Sequence, residues 1–287
     1  MAETFEERRW TSADDLSLYY RDYPGPAGYE GPPVLCLHGL TRNSRDFEAL
    51  APHLAETRRV IVPEMRGRAN SDYAPDPATY NPAQYVDDIE RLLAELGITR
   101  FIAVGTSMGG LLTMMLAAAK PGRIVAAVIN DIGPEIDPSG IERIASYVGL
   151  GKSYPTWVHA ARSLADTFQP LFPDYDLDRW LESAKRGLVV SQNGRISHDY
   201  DMAISEPFKS EGGAAPPDLW PAFDALKGVP MLVVRGELSD LLSPATVSRM
   251  AERNPAMTSV TVPRVGHAPT LDEPEARAAI DALLAAI

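Results

Sequence analysis

A serine with glycines two residues to either side, Gly105-Thr106-Ser107-Met108-Gly109, stands between two apolar runs, Phe101 to Val104 and Leu111 to Ala119. The first reads as a strand and the second as a helix, so the serine occupies an abrupt strand-to-helix turn. Such a turn holds its central residue in a strained conformation, and the flanking glycines let strand and helix approach closely. A serine hydroxyl is a poor nucleophile near neutral pH and needs a base, usually an imidazole oriented by a carboxylate. His267, in Val265-Gly266-His267-Ala268-Pro269, follows the last predicted strand and is expected to be that base. The acid should lie between serine and histidine in chain order. Asp240, beyond the strand Met231 to Val234, is the preferred candidate; Asp131, after Ile124 to Asn130, competes with it, and Glu237 is a third choice.

Leu37-His38-Gly39-Leu40 closes another predicted strand, where a loop amide could face a developing oxyanion. The oxyanion hole is therefore assigned to the backbone N–H groups of Leu40 and Met108, with His38 serving structure rather than proton transfer. Arg42, just beyond, could pair with a substrate carboxylate, but a solvated loop arginine is the preferred reading. Cys36 reads as a buried structural thiol; as the single cysteine it excludes an internal disulfide and any Cys-rich zinc site. His53, His159 and His198 show no metal-ligand spacing and read as ordinary helix or cap residues. No metal or organic cofactor is expected.

Positioning these residues requires a sheet with loops gathered at one edge. Short apolar runs (Leu16 to Tyr23, Val34 to Leu37, Val60 to Pro63, Phe101 to Gly105, Ile124 to Asn130) alternate with helical ones at about Asn43 to Ala55, Pro82 to Leu96 and Met108 to Ala119. That alternation predicts an α/β class protein with a doubly wound, mostly parallel sheet flanked by helices. After Asp131 the order loosens into Pro- and Gly-punctuated helical fragments carrying Trp157, Phe168, Phe172 and Trp180, which more often hold helices together than line a pocket. Strand order returns at Met231 to Arg235 and Ser259 to Val262, with helices at Pro244 to Arg253 and after Pro274. The division expected is one core, residues 1–133 and 218–287, interrupted by a helical insertion over 134–217.

Taken together, His38-Gly39, Arg66-Gly67 with Asn70-Ser71-Asp72, Gly105 to Gly110, Gly236 to Asp240 and Gly266-His267 resemble the α/β-hydrolase superfamily in order and approximate spacing. The likeness is to its cap-bearing group of carboxylesterases, enol-lactonases, carbon-carbon bond hydrolases and cofactor-free haloperoxidases. It implies an α/β-hydrolase fold and a cap built from the segment after Asp131. The serine at the elbow sets the chain apart from the dehalogenases and epoxide hydrolases of this fold, which use an aspartate. In two places the pattern departs from the superfamily: Asp240 stands four residues after Gly236 where three is commoner, and Ala69 occupies a position that is usually glycine.

The 287 residues carry a formal net charge of −12, an acidic balance that argues against nucleic acid or anionic lipid as the main partner. The first ten residues have no apolar run of the kind a secretory signal needs, and the longest apolar stretch is about half of what a bilayer requires, so a cytoplasmic protein with no membrane span is expected. The function read from these residues is hydrolysis of a small carboxylic ester or lactone through an acyl-enzyme. Alternatives are carbon-carbon bond cleavage in a dioxo acid by the same triad, and a ligand receptor that keeps the fold with little turnover. The partner expected is a small carbonyl-bearing molecule.

Overall fold

A computed structural model of the protein describes residues 5–206 and 218–287. Six strands come first: β1 (Glu6–Thr11), β2 (Ser17–Tyr23), β3 (Val34–Leu37), β4 (Val60–Pro63), β5 (Phe101–Thr106) and β6 (Ile124–Asn130). Three short ones follow, β7 (Ser153–Tyr154), β8 (Leu188–Val190) and β9 (Ile196–His198), and then β10 (Met231–Gly236) and β11 (Met257–Val262). The main sheet has the order β1-β2-β4-β3-β5-β6-β10-β11. It is parallel from β4 to β11, with β1 and β2 adding an antiparallel edge. This is the α/β-hydrolase fold.

Its central strands are buried on both faces, and their alternating side chains feed two cores. Leu35, Leu37, Phe101 and Ala103 face one side, where they meet α2 (Pro82–Glu95) and α3 (Met108–Ala119). Val34, Cys36, Ile102 and Val104 face the other, toward α1 (Leu50–Ala55) and the C-terminal helix Pro274–Ala285. Local signals start the helices where the sequence suggests. The Asn81 side chain accepts from the Gln84 amide ahead of Pro82, capping α2. The helix expected over Asn43 to Ala55 is instead divided: Asn43 caps a short 3-10 turn at Ser44–Phe47, and α1 follows. Strand β1 was not expected, because Glu6–Thr11 buries only Trp10 and shows no apolar alternation. It is held by pairing to β2 from Glu6↔Asp22 to Thr11↔Ser17.

Between β6 and β10 the chain leaves the sheet and forms α4 (Pro138–Tyr147), α5 (Trp157–Phe168) and α6 (Leu177–Gly187), capped by Asp137, Thr156 and Asp176. This insert is not purely helical as expected, since it also contains an antiparallel three-stranded sheet in the order β7-β9-β8. The expected end of the insertion, residue 217, lies outside the described residues. The core resumes with α7 (Trp220–Asp224), α8 (Pro244–Arg253) and α9 (Pro274–Ala285).

Candidate active site

Ser107 sits between β5 and α3 at φ +53°, ψ −119°, a backbone region that residues with side chains rarely adopt. The surrounding glycines are there for space. A Cβ on Gly105 would come within 2.3 Å of the Gly109 carbonyl oxygen, and one on Gly109 within 2.0 Å of the Leu37 oxygen. The turn is pinned by the Ser107 amide donating to the Asn130 carbonyl at 2.9 Å and by the Gly110 amide donating back to the Ser107 carbonyl at 2.8 Å.

His267 brings Nε2 to 2.8 Å from Ser107 Oγ and Nδ1 to 2.8 Å from Asp131 Oδ2. An ionised carboxylate only accepts, so the proton on Nδ1 faces Asp131 and Nε2 is left to accept from the serine hydroxyl. Asp131 is fully buried at the end of β6, and its second oxygen accepts the Gly236 amide at 2.8 Å. The carboxylate is thus fixed on both sides. The His267 loop is fixed as well, because Asn130 Nδ2 donates to the Pro269 carbonyl at 2.8 Å.

The structure pairs His267 with Asp131 and not with Asp240, the preferred candidate. Asp240 does not meet His267; it forms a two-point ion pair with Arg143 of α4, with Nη2 2.8 Å from Oδ1. Burial pushes its carboxyl up, but the hydrogen bonds and charge of Arg143 more than offset this and leave it below the ordinary carboxylate range. Glu237 is exposed and accepts the Arg264 amide at 2.7 Å. Among the three expected candidates, only Asp131 hydrogen-bonds the histidine.

His38 explains how the loop at Leu40 is oriented. Its Nε2 accepts from the Met65 amide at 3.1 Å, so the ring proton is on Nδ1 and is donated to the Gly39 carbonyl at 2.8 Å. Complete burial pushes this imidazole down to about 4, with the charge of Arg68 acting in the same direction, and keeps it neutral. Because a trans peptide directs its C=O and N–H oppositely, fixing the Gly39 carbonyl turns the Leu40 N–H away from His38. The Leu40 carbonyl is clamped in turn by Arg68, whose Nε and Nη2 donate to it at 2.9 and 2.8 Å. Neither the Leu40 nor the Met108 amide donates to an acceptor among the described residues.

Above this constellation lies a cavity of about 220 Å³ between the sheet edge and the insert. Ser107, His267 and Leu40 form part of its floor, and Phe168, Phe172 and Trp180 contribute apolar wall. Phe172 and Trp180 meet edge-on with ring centroids 6.1 Å apart. Trp157 instead packs against the second core. Arg42 is not the solvated loop residue expected: it lines the cavity, and Asp46 accepts from its Nε at 2.9 and 3.0 Å. His198 also lines the cavity, held below its ordinary value by burial and then by the charges of Arg42 and Lys152. His53 and His159 lie elsewhere, paired with Asp281 and Thr156. Among the described residues no group of three or more His, Cys, Asp and Glu is placed to hold a metal ion, and no helix is long and apolar enough to cross a membrane.

Residues 32–274 match the α/β hydrolase fold family. The chain belongs to that family. Over its whole length it is similar, at 56% identity and a TM-score of 0.95, to an α/β hydrolase from Novosphingobium aromaticivorans known from a crystal structure, covering 100% of both chains. It is 37% identical to the 3-hydroxybutyrate-oligomer hydrolase of Cupriavidus necator over 265 residues, 90% of this chain and 89% of that one. It is 29% identical to the 2-(acetamidomethylene)succinate hydrolase of Mesorhizobium japonicum, covering 83% and 82% of the two chains. A solved E-2-(acetamidomethylene)succinate hydrolase superposes with a TM-score of 0.77 at 26% identity, over 98% and 97% of the chains. These relatives support a hydrolase of ester or carbon-carbon bond type.

Within this α/β hydrolase, sequence reasoning missed the residues that support the site from behind. Arg68 and Asn130 carry no motif of their own, and Tyr147, Tyr175 and Arg186 reach the cavity from the insert. Arg68 could have been noticed as a second arginine in Arg66-Gly67-Arg68, a loop otherwise read only for its glycine pattern.

Proposed function

We propose that the protein is a serine hydrolase that cleaves small carboxylic esters through an acyl-enzyme, with esters of short hydroxy acids as the substrate class. The single observation that carries this reading is the continuous hydrogen-bonded chain from Ser107 through His267 to Asp131. His267 Nε2 takes the serine proton as Oγ attacks the ester carbonyl, and Asp131 stabilises the imidazolium through Nδ1–H. The Leu40 and Met108 amides receive the oxyanion, for which their unused N–H groups are suited. Collapse expels the alcohol, protonated by His267, and water activated by the same imidazole then releases the acid. The described part of the insert, residues 134–206, acts as a cap over the site, an assignment supported by the cavity walls it contributes. The hydroxy-acid class is supported by the likeness to the Cupriavidus 3-hydroxybutyrate-oligomer hydrolase.

Intact-mass analysis after treatment with a small fluorophosphonate tests the nucleophile without knowledge of the substrate. One adduct is expected on wild type, none on Ser107→Ala, and a strongly slowed reaction on His267→Ala. An unlabelled wild type, with no turnover across an ester panel, would refute the proposal in favour of a ligand receptor. Product analysis separates ester cleavage from carbon-carbon cleavage of a dioxo acid.

A further inference from the structure

The cavity wall contains three arginines, and they are not equally satisfied. Arg42 is matched by Asp46 at two points, and Arg179 donates to both oxygens of Asp272 at 3.1 and 3.3 Å. Arg186 differs. Its side chain is only 16% exposed, yet none of its N–H groups makes a hydrogen bond among the described residues. Its one ionic contact is to Asp272 at 3.8 Å, and that carboxylate is already engaged by Arg179 and Thr270. A guanidinium has five N–H donors in a planar fork; those of Arg186 have no protein acceptor within hydrogen-bond distance among the described residues yet are not sealed off, so they stand open to a ligand in the cavity.

The position of Arg186 is built rather than accidental. Its carbonyl accepts from Asn43 Nδ2 and from Arg45 Nε, both at 3.1 Å, which ties the end of α6 to the loop beyond Leu40. From that anchorage the side chain extends to Asp272, five residues beyond the base. Thr270 and Leu271, between His267 and Asp272, line the same cavity as Ser107. The unsatisfied fork therefore shares a small chamber with the nucleophile, against mostly apolar walls.

Resting on the ester-hydrolase reading above, we infer that Arg186 is the anchor for a carboxylate carried by the substrate a few bonds from the scissile carbonyl. The planar fork matches a carboxylate, and a linear hydroxy-acid ester carries such a group at its acid terminus. Arg186 binds and orients that terminus and takes no part in bond making.

The test compares the linear dimer of 3-hydroxybutyrate with its terminal carboxamide, which has the same shape and one ester but no charge. Wild type is expected to favour the acid in kcat/KM, mainly through KM. In Arg186→Gln the acid-to-amide ratio should fall by about ten- to a hundredfold, and Arg186→Lys should recover part of it. Equal use of the two substrates by wild type, or an unchanged ratio in Arg186→Gln, overturns the inference. Calorimetric titration of Ser107→Ala with the same pair separates this failure from that of the hydrolase reading, since it requires neither turnover nor a change at Arg186. Tighter binding of the acid supports the anchor, and indifference to charge rejects it.

Discussion

Replacing Asp131 by asparagine tests the site at the point where the structure and the sequence disagree. Asp131 Oδ1 accepts the Gly236 amide at 2.8 Å, and Oδ2 faces His267 Nδ1 at 2.8 Å. An asparagine keeps one acceptor and gains an NH₂ donor. The Gly236 N–H requires the remaining oxygen, so the NH₂ is turned toward His267 and Nδ1 must become an acceptor. The ring proton then moves to Nε2, where it opposes Ser107 Oγ and leaves no base to receive the serine proton. Loss of the correct tautomer should lower kcat by about 10³- to 10⁴-fold, or about 4–5.5 kcal/mol of transition-state stabilisation, with little change in KM. Asp240→Asn breaks an ion pair whose side chains are 21% and 23% exposed. That change should cost about 1 kcal/mol of stability or less and leave kcat within about threefold. Steady-state hydrolysis of p-nitrophenyl butyrate, corrected for folded enzyme by thermal melts, measures both variants. Collapse of turnover in Asp240→Asn with near-normal turnover in Asp131→Asn would refute the reasoning.

Two further expectations concern the loop that presents Leu40. Arg68→Met removes both hydrogen bonds to the Leu40 carbonyl and should lower kcat by about tenfold or more, more than it raises KM, because a misdirected amide is felt mainly in the tetrahedral intermediate; parallel kinetics and melts separate this from loss of fold. His38 is depressed to about 4 in the fold against about 6.5 when unfolded, so on acidification the unfolded chain takes up the proton first. Its contribution to stability is complete above about pH 6.5 and declines through the window down to about 4, by roughly 3 kcal/mol; urea unfolding at several pH values should show a shallower decline in His38→Gln.

The parts that were legible in the sequence are those where one local requirement dominates. The turn at Ser107 is readable because contacts of 2.0 and 2.3 Å leave no alternative to glycine on either side of it. The central strands are readable because burial on both faces makes them short apolar runs, and α2 because Asn81 and Pro82 mark its start. Strand β1 was missed for the opposite reason: an edge strand open to solvent needs no apolar pattern, and its pairing with β2 is a long-range fact. The strands of the insert escaped notice because they are two or three residues long, shorter than any period can register.

Asp240 was preferred over Asp131, the carboxylate that hydrogen-bonds His267, because chain order and strand-end position do not separate the two candidates. Strands β6 and β10 are parallel neighbours, so Asp131 and Asp240 both leave the sheet at the same edge, within reach of one histidine loop. The distinction is made by their surroundings. Asp131 follows its strand immediately, at φ +57°, and its amide donates to Val234 across the sheet at 2.8 Å, which fixes the carboxylate beneath the imidazole. Asp240 lies four residues beyond Gly236, far enough along the loop to meet the insert, and Arg143 of α4 holds it there. A residue that would otherwise compete for His267 is thereby committed to joining insert and core. Arg179 with Asp272 and Arg45 with Asp199 make the same kind of connection, so the insert is held over the site by ion pairs around the cavity. Arg186 stands among these arginines with its N–H groups unused, which is why the same network that closes the chamber also identifies where a substrate's charge would go.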